Sequence, residues 1–302
     1  MNFLSKLINN NDNSLWHNIW KNFYRDRLAI LGLITLIIII FSIILGPLIY
    51  QVPIDSIDFS QASTPPNSNH PFGTNSLGQD ILARVLFGGK ISLTVGISAM
   101  VVAIFIGTSI GAIAGFYGGI VDGLLMRVTD LFLALPQLPL LLLIVYLFRE
   151  PIKIIAGPEL GIFILVVIVI GGLNWMSVAR LVRASVLKLR ETEFIQTATA
   201  LGATPNHIIR VHILPNILSI IIVAATLGVG NGIITESTLS FLGLGFPPDV
   251  PTWGQMLFQA KDYLTTAPHM AFFPGLAIFL TVLSINYIGD GLRDALDPKT
   301  RR

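Results

Sequence analysis

The chain has 302 residues, 19 Lys and Arg against 17 Asp and Glu, and no cysteine. Charged residues make up 12% and hydrophobic ones 53%, about half of the roughly 25% charge of soluble domains, which excludes a soluble fold and, equally, a disordered chain. Disulfide, thiolate and Cys-ligated metal chemistry are excluded too, and a formal charge of +2 gives no reason to expect nucleic acid. The figures describe an integral membrane protein of the all-α, polytopic kind.

Residues 1–27 are polar and carry Trp16, Trp20, Phe23 and Tyr24 at roughly helical spacing. This reads as a cytoplasmic amphipathic segment with interfacial aromatic anchors, or alternatively as a partner-binding helix. The first apolar run, residues 28–50, holds 16 Leu, Ile and Phe. At a helix centre these supply roughly −5 to −10 kcal/mol of insertion energy. It is too long for a signal-peptide core. A polar outside segment rich in Pro, Ser and Asn follows to about Lys90, so residues 28–90 form a first helix plus its outer extension.

Five further apolar runs make up a five-span core over 91–302: residues 91–115, 131–148, 160–179, 213–235 and 270–289. About 20 apolar residues cross the hydrocarbon layer, giving six expected spans. Pro136 and Pro139 interrupt the third, which requires neighbouring helices to satisfy the freed backbone groups. Six spans place both termini on one side. That side carries 14 of the 19 Lys and Arg, so it is cytoplasmic. Two connections exceed the usual helix-bundle loop of about 2–8 residues: a cytoplasmic one over 180–216 and an outside one over 236–269.

The cytoplasmic connection reads as helix, sharp turn, helix. Thr192 is placed to cap a first helix whose apolar face is Phe194, Ile195, Ala198 and Leu201. Gly202 suits the left-handed position that ends it, and Thr204-Pro205 is a cap with proline at the first helical position. Small side chains at Ala198, Ala200 and Gly202 leave a smooth surface for another protein. On residues alone this is a cytosolic docking loop.

The loop resembles the EAA loop of ABC importer permeases. Gln196-Thr197-Ala198 stands where Glu-Ala-Ala is usual, Gly202 matches the glycine, and Ile213-Leu214-Pro215 matches the ending. The segment from His70-Pro71-Phe72-Gly73-Thr74-Asn75 to Leu77-Gly78-Gln79-Asp80 is similar to the second membrane subunit of the dipeptide, oligopeptide and nickel importers, as are 237–245 and Pro251-Thr252-Trp253-Gly254. The likeness covers nearly the whole chain. It implies a type I importer permease fold like that of the methionine permease, and a coupling role for Glu193, Gln196, Thr197, Ala198, Ala200, Leu201, Gly202, Ala203 and Pro215. The implied partners are a second homologous permease, two ATPases that use ATP and Mg, an extracytoplasmic binding protein and the lipid bilayer. Peptides are the implied cargo, with nickel or another small solute as the alternative; a stand-alone secondary transporter is the reading from another class.

No catalytic constellation emerges, and the chain itself is expected to bind no cofactor and no metal. Gly88-Gly89-Lys90 lacks both the first glycine and the Ser/Thr of a phosphate loop, so ATP hydrolysis must reside in a partner. His207 and His212, five apart, lie about 140° around an α-helix and do not form an i,i+4 metal pair. Arg127 and Asp130 are spaced to pair with each other at the start of the third span. Asn174, Asn231 and Glu236 are the pathway candidates. For the amides the other reading is interhelical hydrogen bonding; for Glu236 it is an interfacial carboxylate.

Overall fold

A computed structural model describes Trp20 and residues 22–296; Trp16 lies outside them. Ten helices of eight or more residues carry the described chain: α1 (Arg27–Ile49), α2 (Ile81–Tyr117), α3 (Gly119–Ala134), α4 (Gln137–Ala156), α5 (Pro158–Gly172), α6 (Trp175–Arg190), α7 (Glu193–Ala200), α8 (Leu214–Phe241), α9 (Trp253–Ala260) and α10 (His269–Leu296). No strand forms among the described residues. Four spans are continuous helices, and two further ones are bent pairs: α3 with α4 at 86° and α5 with α6 at 40°. The total of up to six agrees with the hydropathy reading, but the break between α5 and α6 does not show in it.

The first break falls at Leu135 and Pro136, where the chain turns extended. Proline disfavours helix in the residue before it. Pro139 then sits in the first turn of α4, where its missing N–H is not needed. The second break, at Leu173 and Asn174, follows Gly171-Gly172, a pair that weakens helix continuity.

Helix α2 is the central mast. It begins ten residues before the expected start because Arg84 is buried rather than exposed. The Arg84 guanidinium donates to the carbonyls of Ile54 and Pro248 at 3.0 and 3.2 Å, and Asp80 caps the helix through the Ala83 amide. Farther along, Gly107, Gly111 and Gly115 recur every four residues on the face that meets α6. A Cβ on Gly111 would stand 2.4 Å from the Ala179 carbonyl, and one on Gly107 2.6 Å from that of Trp175. Such small-residue stripes let membrane helices approach backbone to backbone, where dispersion rather than water exclusion drives association. The glycines of Gly88-Gly89 serve packing as well. Position 88 abuts the Pro251 carbonyl, and position 89 abuts Ile43 and Trp253.

Helix α1 packs on α10 at the rim of the bundle. Phe23 is buried there beside Gly291, so this aromatic belongs to the protein interior, while Trp20 and Tyr24 remain exposed. Two ion pairs join α3 to α6: Asp122 with Arg183 and Asp130 with Arg180. The expected Arg127–Asp130 pair is replaced because the bend at Pro136 brings α3 alongside the arginines of α6.

Candidate coupling loop and transport pathway

Helix α7 is a two-turn helix set off from the bundle. Ile195 is its buried anchor, at 1% exposure, whereas Phe194 and Leu201 stay exposed at 45% and 83%. The apolar face expected from the sequence is therefore split: one residue points into the protein and two point away from it. Gly202 has φ of +84°. The Ala203 amide donates to the Ala198 carbonyl at 3.1 Å, and the Gly202 amide donates to Thr199 at 3.0 Å. These are the paired closing bonds of a Schellman turn, which glycine permits without strain.

Neither threonine caps through its side chain. The Thr192 hydroxyl instead donates back to the Leu189 carbonyl near the end of α6, which also accepts from the Thr192 amide. Gln196 donates to the Glu191 carbonyl at 3.3 Å, and Thr197 to that of Glu193 at 2.8 Å. Beside α7 runs an open groove lined by Phe116, Arg190, Glu191, Gln196, Thr199 and Ala200. After Pro205 the chain winds a π-turn over Ile208–Ile213 before α8, in whose exposed first turn Pro215 lies.

That π-turn overturns the angular argument for the two histidines. Wider winding brings residues five apart onto one face. The His207 and His212 rings lie edge-on with centroids 5.7 Å apart, and His212 in turn meets Phe194 at 6.5 Å. They brace the loop; among the described residues no group of three potential ligands assembles.

Asn174 and Asn231 come together. Both line one open cleft of about 170 Å³ between α2, the α5–α6 break and α8, with Ser177, Met100 and Gly228. Gly228 packs directly under the Met100 thioether, and a Cβ there would displace that side chain. Asn174 gives its Nδ2 to the Ile170 carbonyl at 2.7 Å. Gln137, which sequence reading missed, begins α4 at the other break. Its Nε2 reaches both the Leu173 carbonyl and the Asn174 Oδ1 at 3.4 Å. A polar residue directly after a proline in an apolar run was the available signal.

Glu236 is elsewhere. It has no exposed surface and accepts hydrogen bonds from Ser240 at 2.8 Å, Ser92 at 3.1 Å and Ser237 at 3.5 Å. It is neither interfacial nor facing the cleft. Ser92 also accepts from the Trp253 amide, so the carboxyl sits where α2, α8 and the start of α9 meet.

Residues 107–302 match the family described as binding-protein-dependent transport system inner membrane component, and residues 14–66 match the N-terminal TM domain of oligopeptide transport permease C. The chain belongs to this permease family. It is 41% identical over 288 residues to the dipeptide transport system permease protein DppC of Alkalihalophilus pseudofirmus, covering 95% of this chain and 91% of that one. Identity is 39% over 290 residues to the glutathione transport system permease protein GsiD of Pectobacterium atrosepticum, with 95% and 92% covered. To the oligopeptide transport system permease protein OppC of Bacillus subtilis it is 37% over 290 residues, with 96% and 91% covered. Among solved structures, a chain from inward-facing conformations of the MetNI methionine ABC transporter aligns with a TM-score of 0.49 and 21% identity, over 68% of this chain and 95% of that one.

The permease's segment between α1 and α2 is tied down by its own polar residues. Asp80 Oδ2 accepts from the Tyr50 hydroxyl at 2.8 Å and lies 2.8 Å from His70 Nδ1. Burial and the Asp80 carboxylate together hold the Tyr50 phenol above its ordinary range. Asp58 is held below the usual carboxylate range by hydrogen bonds from the Ser60 hydroxyl and amide. Gln79 and Asn75 bond one another across a closed turn, Asn75 Nδ2 to Gln79 Oε1 at 2.8 Å.

Proposed function

We propose that this permease moves peptides inward across a prokaryotic cytoplasmic membrane as one of two homologous membrane subunits, with both termini in the cytoplasm. It is a transport subunit rather than an enzyme. ATP and Mg are used by two partner ATPases, and an extracytoplasmic binding protein delivers the cargo. The observation that carries this reading is the 37–41% identity, over about 95% of the chain, to permeases of dipeptide, glutathione and oligopeptide transport systems.

Residues Glu193 to Ala203, with Pro215, form the coupling loop. Ile195 fixes α7 to the bundle while Phe194 and Leu201 offer apolar surface outward, the arrangement a docking helix needs. ATP-driven approach of the ATPases pushes α7, and the rigid turn at Gly202 passes that displacement to α8. Asn174 and Asn231 face the passage opened and closed by this motion. Residues 28–90 are an addition to a five-helix core over 91–302, supported by the peripheral seat of α1 and the separate family matches over 14–66 and 107–302, with α2 (Ile81–Tyr117) running unbroken across the boundary.

The test is reconstitution. Co-expressed with its second permease, its ATPases and its binding protein, the chain should support ATP-dependent uptake of radiolabelled di- and tripeptides into proteoliposomes. Uptake driven by an ion gradient without ATPases would reject the reading.

A further inference from the structure

Two of the six spans are broken, and the breaks meet. Non-helical backbone at membrane depth is tolerated where it is buried in protein or lines a wet cavity. Here Leu173 and Asn174 lie about 22 Å of helix below the start of the 15-residue α5. The side chains gathered there are of one chemical kind. Gln137 opens α4 and contacts Asn174 across the two breaks; Asn174 and Asn231 line the same cleft, one turn from Ser177. The rest of the wall is apolar or glycine, and no charged side chain lines it among the described residues.

A carboxamide carries both a donor and an acceptor, which makes it the side-chain counterpart of a peptide group. A fixed charge in a partly desolvated cleft would act differently. It would grip an oppositely charged terminus or side chain strongly, since screening is weak there, and hinder release. Transit needs binding that is favourable but loose.

Resting on the peptide reading above, we propose that Asn174, positioned by Gln137, and Asn231 present charge-free carboxamides to the cleft that contact the peptide bonds of the cargo and leave this wall of the pathway indifferent to cargo charge. The amides also satisfy carbonyls freed by the break, so a test must separate cargo contact from support of the fold. Asn231 makes that possible, because it stands on α8 and takes no part in the side-chain bonds that Gln137 and Asn174 make at the breaks.

The experiment uses the complete reconstituted transporter and three probes of equal length: trialanine, Ala-Lys-Ala and Ala-Glu-Ala. Asn231→Asp and Asn174→Asp should each raise the ratio of Ala-Lys-Ala to Ala-Glu-Ala uptake, relative to the wild-type ratio, by about tenfold, equivalent to about 1.4 kcal/mol. A purely structural role predicts a common loss for all three and an unchanged ratio, which would overturn the proposal. A second readout does not depend on either Asp variant assembling. Ser177→Cys, in this cysteine-free chain, should be alkylated by a small thiol reagent and protected by saturating trialanine; alkylation unaffected by trialanine would also overturn it. A wild-type transporter that moves none of the three peptides would reject the peptide reading itself, before any variant is compared.

Discussion

Ser92 on α2 donates a 3.1 Å hydrogen bond to the fully buried carboxyl of Glu236 on α8. The same hydroxyl oxygen accepts from the Trp253 amide at 3.3 Å, so one polar knot fastens three helices. Glu236→Gln keeps an acceptor among hydroxyl groups that can also accept, and should leave thermal stability in detergent within about 1 kcal/mol of wild type. Glu236→Ala orphans the serines and leaves a void, and should cost about 2–4 kcal/mol. Equal melting of the two variants would show that the knot does not hold the helices.

The glycine stripe of α2 should be far less tolerant than glycines elsewhere. Gly111→Ala places a methyl group 2.4 Å from the Ala179 carbonyl, forcing α2 and α6 apart at a cost of about 1–3 kcal/mol. Gly123→Ala meets nothing within 4 Å on α3 and should be neutral or stabilise by up to about 1 kcal/mol. Melting temperatures of the two single variants, measured side by side, check the contrast.

The two ion pairs between α3 and α6 differ in exposure. Side chains of the Asp130–Arg180 pair are 58% and 53% exposed, against 15% and 33% for Asp122 and Arg183. A double-mutant cycle on Asp130 and Arg180 should return less than about 1 kcal/mol. The Asp122–Arg183 cycle should return a larger coupling that survives added salt. A coupling at Asp122–Arg183 no greater than at the exposed pair would contradict this ordering.

Much of this arrangement can be read in the sequence, and the failures have physical causes. Gly202 is legible because a left-handed turn between two short helices almost demands glycine. The spans are legible because lipid imposes a length. The early start of α2 is hidden, since Arg84 and Lys90 interrupt the apolar run and nothing local announces that backbone carbonyls from Ile54 and Pro248 will receive the guanidinium. The break at Pro136 is legible as an interruption of the third apolar run by Pro136 and Pro139, whereas the one at Asn174 is hidden, because the fourth apolar run passes through it. Residues 237–240 suggest an exposed loop to a composition-based eye, yet Ser237 and Ser240 serve the buried Glu236. The 107–111–115 stripe, by contrast, was there to be found as a four-residue spacing of glycines.

Orientation has its own test. Ser68→Cys, on the exposed outer segment, should react with an impermeant thiol reagent in intact cells. Thr199→Cys on α7 should react after the membrane is opened and not before. Labelling of Thr199→Cys in intact cells would place the loop on the wrong side for any ATPase.

The central claim is that the turn at Gly202 transmits force from the ATPases to the pathway. With φ of +84° and open space around it, a side chain at position 202 meets no clash within this chain. The left-handed backbone alone costs an ordinary residue about 1–2 kcal/mol, too little to unfold six spans yet enough to redirect an eight-residue helix. The deciding measurement is ATP-dependent peptide uptake by the reconstituted complex carrying Gly202→Val, normalised to inserted permease. The account predicts normal insertion with uptake reduced about 5- to 30-fold, the factor that 1–2 kcal/mol represents; uptake at the wild-type rate would contradict it and leave the loop a simple connector.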